Sequence, residues 1–111
     1  MKQAAAECDA ALCHSGSGTA SSLLLGGRPM LLLPMHVEQY LFARRVVGLG
    51  AGIMADGVAG TDYRGFIERL LGDPSYAKCA QRFAQAHAGF DAGEQAMRIA
   101  TRCEELMAQA R

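Results

Sequence analysis

Asp9-Ala10-Ala11-Leu12-Cys13-His14-Ser15-Gly16-Ser17-Gly18-Thr19 opens the stretch that decides the fold, and it runs on through Gly26-Gly27-Arg28-Pro29 to Pro34-Met35-His36-Val37-Glu38-Gln39. Ala10–Cys13 is short and apolar and reads as a strand. A loop of small residues follows. Thr19–Leu25 reads as a helix, ended by the glycine pair Gly26-Gly27. Met30–Leu33 is continuously apolar, as a parallel strand buried on both faces must be. Pro34 cannot donate to a ladder and stops it. Strand, helix and strand in this order make a βαβ unit.

The first turn of that unit has the chemistry of an anion site. A helix N-terminus carries unpaired backbone N–H groups and partial positive charge. Gly16 and Gly18 lack a Cβ, so an anion can approach the backbone closely. Beyond the second strand an acidic-Gln pair follows, Glu38 beside Gln39, which offers both acceptors and donors.

Outward from this unit the periodicity becomes helical. Residues 2–8 read as a helix end. Glu38–Val47 reads as a helix closed by Gly48, and Gly50–Met54 as a third short strand. Residues 55–61 read as a Gly- and Ala-rich loop. Asp62 caps a helix with Tyr63, Phe66, Ile67, Leu70 and Leu71 on one stripe. Asp73-Pro74 starts the next, with Tyr76, Cys79, Ala80, Phe83 and His87 on one face. Asp91 and Glu94 form a capping-box pair before a last helix with Met97, Ala100, Cys103, Leu106 and Met107 on its stripe. The expected class is α/β, with short parallel strands followed by several helices. Two or three strands are few for a parallel sheet, so the sheet is expected to be incomplete and to have continued with strands upstream of Met1. The strand at Ala10–Cys13 should then lie at an open edge that favours self-association.

Bulk properties narrow the function. The chain has 111 residues, enough for one domain at most. Half of them are hydrophobic, so a packed core is expected. Eleven basic residues balance eleven acidic ones and no basic run stands out, which argues against nucleic acid. Cys8, Cys13, Cys79 and Cys103 form no C-x-x-C pair, so no metal site is expected. They suit a reducing, cytoplasmic setting. No apolar run is long enough for a transmembrane segment, and no signal peptide is evident.

The loop His14-Ser15-Gly16-Ser17-Gly18-Thr19, the turn Gly27-Arg28-Pro29 and the run from Pro34 to Glu38-Gln39 together resemble the nucleotide-sugar signature of GT-B glycosyltransferases. The similarity is to the UDP-glycosyltransferase family, whose pattern is H-x-G-x-x-[ST], G-x-P and P-x-x-x-[DE]-Q. It covers residues 9–52 well and residues 62–111 only in helical layout. The resemblance implies that residues 1–111 are the C-terminal part of a nucleotide-sugar-binding domain, a partial Rossmann-like nucleotide-binding domain of GT-B type. It implies diphosphate contacts from His14, Gly16, Ser17, Gly18 and Thr19, and sugar contacts from Glu38 and Gln39. It implies a UDP-sugar or dTDP-sugar donor, transfer to an acceptor hydroxyl, and no metal or other cofactor. Ser22 stands where plant members carry a ribose-binding glutamate, and Phe42-Ala43 where many members have Asn-Ala. The N-terminal acceptor domain, with the family's catalytic base, has no counterpart here, so no catalytic residue is assigned. The isolated chain is expected to be inactive without that domain or a partner subunit.

Other readings remain beside this one. The chain could be a non-catalytic donor-binding subunit or a silent remnant. Taken singly, His14 is a loop-edge histidine, Glu38 a first-turn acid favoured by the helix dipole, and Ser15 and Ser17 small turn residues. His36 and His87 read as surface or packing residues. Val46-Val47-Gly48-Leu49-Gly50-Ala51-Gly52-Ile53-Met54-Ala55 imitates a dinucleotide fingerprint, which requires a strand running into a helix at the glycines.

Overall fold

The computed structural model describes residues 2–55 and 60–110. The chain runs α1 (Lys2–Glu7), β1 (Ala11–Cys13), α2 (Ser17–Leu25), β2 (Met30–Leu32), α3 (Val37–Gly48), β3 (Gly52–Met54), α4 (Tyr63–Gly72), α5 (Pro74–Ala86) and α6 (Ala92–Gln109). This is the expected α/β class, with element boundaries moved by up to two residues. The loop expected over 55–61 falls largely on residues 56–59, outside the described residues.

The three strands are parallel in the order β1-β2-β3. Leu12 pairs with Leu31, and Leu31 with Ile53. Central β2 is buried along its whole length, which explains its unbroken apolar run. Its side chains alternate between two cores. Met30 and Leu32 pack with Leu23 and Leu24 of α2, Ala43 and Val46 of α3, and Ala80 of α5. Leu31 points to the opposite face, with Ile53 and with Leu70 of α4. Helices therefore cover both faces of the sheet.

Local chemistry explains the joints. After α2, Gly27 takes φ 72°, its N–H donates to the Leu24 carbonyl, and the Arg28 N–H donates to the Leu23 carbonyl. That is a Schellman ending. The Arg28 side chain then donates to the carbonyls of Ala5 and Ala6, at 2.6 and 2.8 Å, and so caps the end of α1. The dinucleotide-like glycines join a helix to a strand, the reverse of the order that fingerprint needs. Val46–Gly48 closes α3, and Gly52 opens β3. Gly50 turns at φ 78° against Cys79, and a Cβ on Gly52 would lie 2.7 Å from the Met30 carbonyl oxygen. Both glycines serve packing.

The three C-terminal helices start on aspartates. Asp62 accepts from the Gly65 N–H, Asp73 from Ser75 and Asp91 from Glu94. The Ser75 backbone and side-chain hydrogen bonds hold the Asp73 carboxyl below its ordinary range. The α6 stripe forms as expected but lies open. None of its residues is buried, and Met97, Leu106 and Met107 are all exposed. The helix is amphipathic, as its sequence indicates, but its apolar face has no cover among the described residues.

Candidate functional site at the carboxyl end of the sheet

Sites in open α/β sheets form beyond the carboxyl ends of the strands, where loops and helix starts converge. Here β1 leads into α2, and β2 leads through Pro34 into α3. The N-termini of α2 and α3 therefore meet at one end of the sheet. Unlike α4, α5 and α6, neither start has a side-chain cap. Gly16 occupies the N-cap of α2 and His36 that of α3, with no side-chain hydrogen bond at either. The α2 helix begins at Ser17, two residues earlier than the spacing suggested. The amides of Ser17, Gly18 and Thr19 thus lie in its first turn, where helix geometry supplies no intrahelical acceptor. A Cβ added to Gly16 or Gly18 would meet nothing within 4 Å, so the space over this backbone is open.

Ser15, Gly16 and Ser17 line one side of a cavity of about 270 Å³, and His36, Glu38, Gln39 and Phe42 line the other. Two pairs of candidate residues 20 or more positions apart in the chain are thereby brought together. Glu38 is exposed in the first turn of α3. The Gln39 Oε1 accepts from the Met35 N–H at 2.8 Å, which closes the turn after Pro34. Its Nε2 amide is then the group left to donate to a ligand.

The remaining candidates lie outside that lining. His14 is exposed at the end of β1, and its Nδ1 is 3.1 Å from the Leu33 carbonyl oxygen. A carbonyl only accepts, so Nδ1 carries the hydrogen. Gly18 is exposed, and its carbonyl accepts from the Ser22 hydroxyl at 2.9 Å. Thr19 is half-buried one position further into α2. Just before the loop, burial pushes the Cys13 thiol up, partly offset by a hydrogen bond from the Ser15 backbone. That favours the thiol over the reactive thiolate.

The sequence reading missed three lining residues. His36 reads from the sequence as a surface or packing residue; it is exposed and also lines this cavity. Phe42 follows Gln39 by three residues and Glu38 by four, so helical spacing alone was a signal for it. Ser15 gave no signal. It has φ 70°, the only non-glycine residue in that region among those described, and is 1% exposed.

Among the described residues no group of three or more His, Cys, Asp or Glu gathers as metal ligands, and no helix is long and apolar enough to cross a membrane.

Known proteins resemble this chain along most of its length. A sterol 3-beta-glucosyltransferase of Vanderwaltozyma polyspora is 35% identical over 72 residues, 65% of this chain and 6% of that protein. The elloramycin glycosyltransferase ElmGT of Streptomyces olivaceus is 34% identical over 77 residues, 69% of this chain and 19% of that protein. The chain thus spans a small part of the relatives it matches. The structure of spinosyn forosaminyltransferase SpnP superposes with a TM-score of 0.81 at 26% identity, covering 96% of this chain and 29% of that one. The spinosyn rhamnosyltransferase SpnG complexed with thymidine diphosphate gives a TM-score of 0.64 at 34% identity, covering 70% of this chain and 22% of that one. Residues 1–106 match the family described as erythromycin biosynthesis protein CIII-like, C-terminal domain, and the chain belongs to that family of GT-B glycosyltransferase domains.

Proposed function

We propose that this chain is the donor-binding part of a glycosyltransferase and holds a UDP-sugar or dTDP-sugar for transfer to an acceptor hydroxyl. One observation carries the reading: the uncapped start of α2 and the Glu38–Gln39 pair of α3 line the same cavity. The α2 amides at Ser17, Gly18 and Thr19, with His14 at the loop edge, bind the diphosphate. A carboxylate cap like that of Asp62 would repel it, which fits the glycine at this N-cap. Glu38 accepts hydrogen bonds from the donor sugar's hydroxyls and Gln39 donates through Nε2. The thymidine diphosphate held by SpnG supports dTDP as the carrier, on the side of that relative.

In the reaction, the bond from the anomeric carbon to the phosphate oxygen breaks and a bond to the acceptor oxygen forms. Negative charge grows on the departing diphosphate, where fixed amide dipoles stabilise it most. The proton of the acceptor hydroxyl goes to a base outside the assigned residues of this chain. An acceptor-binding domain or partner subunit supplies that base and the acceptor site. The four free cysteines fit a cytoplasmic setting.

Calorimetry with UDP, dTDP and their glucose conjugates tests the reading on this chain. His14→Ala should weaken the free diphosphates and the conjugates alike, by about 1.5–3 kcal/mol. Glu38→Ala should weaken only the conjugates. Failure of the parent chain to bind any of the four ligands overturns the reading. Equal loss of UDP and UDP-glucose in Glu38→Ala overturns the sugar assignment.

A further inference from the structure

We infer that the Ser15 hydroxyl is an additional phosphate-binding group, a buried donor that gains its hydrogen-bond partner when a diphosphate enters the cavity. The inference rests on the donor-binding reading above and goes beyond its residue set. Two unfavourable features coincide at this residue. Its backbone sits at φ 70°, a conformation glycine adopts freely and a side chain resists. Its Oγ is buried and has no hydrogen-bond partner among the described residues. It is also the only such side-chain atom found among those residues. A buried hydroxyl without a partner costs stability, and native structures hold few of them. Glycine would relieve both costs at once.

The location says what the hydroxyl is for. Ser15 lines the cavity shared by Gly16, Ser17, Glu38 and Gln39. It immediately precedes the N-cap of α2, whose first-turn amides have no side-chain cap. A hydroxyl donates to a phosphate oxygen and can still accept from elsewhere, so a diphosphate satisfies it without charge repulsion. Glu38 and Gln39 need no help from it, because they lie across the cavity where a sugar would sit. The ligand chemistry is therefore the diphosphate itself.

The test uses Ser15→Gly and Ser15→Ala in the full chain, with inorganic pyrophosphate and UDP as probes and thermal unfolding as a second readout. Ser15→Gly should unfold at or above the parent's temperature and yet bind both probes about tenfold more weakly. Ser15→Ala should lose the same binding, which ties the loss to the hydroxyl rather than to loop flexibility. If either variant binds pyrophosphate within about twofold of the parent, the hydroxyl is satisfied otherwise, for instance by water, and the inference fails. The outcomes separate from those of the broader reading. A parent that binds neither probe, nor dTDP or the sugar conjugates, overturns both. A parent that binds, and loses binding in His14→Ala but not in the Ser15 variants, overturns this inference alone.

Discussion

His14 sets the geometry at the edge of the proposed site. Its Nδ1 hydrogen is committed to the Leu33 carbonyl, which ties the end of β1 to the end of β2. Nε2 is then the ring atom left to face a ligand.

At the scale of the element, α6 stands apart. Its apolar stripe is legible in the sequence, and its Asp91 cap forms, with the carboxylate accepting from the Glu94 N–H at 2.9 Å. Its packing does not follow, because an amphipathic face specifies that it will be covered, not by what. With no residue of α6 buried, the helix contributes little to the body. Removing residues 92–110 should change the melting temperature by less than about 4 °C, equivalent to under about 1 kcal/mol. A larger drop would mean that α6 packs on the body in solution. Amide exchange should agree, with α6 exchanging far faster than buried β2.

At the scale of the whole molecule, the sheet is open. β1 and β3 are its outer strands among the described residues, and β1 carries Leu12 at 54% exposure. Such an edge offers unpaired backbone groups to another chain. The chain is expected to self-associate with rising concentration, by light scattering, and Leu12→Lys should suppress this by adding edge charge. A parent that stays monomeric throughout, with protected β1 amides, would refute the open edge. Overall dimensions of 60 × 28 × 23 Å describe an elongated molecule rather than a closed globule.

The α/β class, the β2 strand, the Asp caps and the glycine ending of α2 were legible because their causes are local. Hydrophobic period, a proline, a carboxylate before a helix and a glycine after it each act within a few residues. The pairing of Gly16 and Ser17 with Glu38 and Gln39 was legible only through resemblance, since no local rule joins residues that far apart. Ser15, His36 and Phe42 became visible only in the folded chain. Burial without a partner, a shared cavity and the role of Gly52 against the Met30 carbonyl depend on which elements lie side by side. Parallel pairing of β1 with β2, and of β2 with β3, is what sets those neighbours, and it is a property of long-range contacts rather than of any short stretch of sequence.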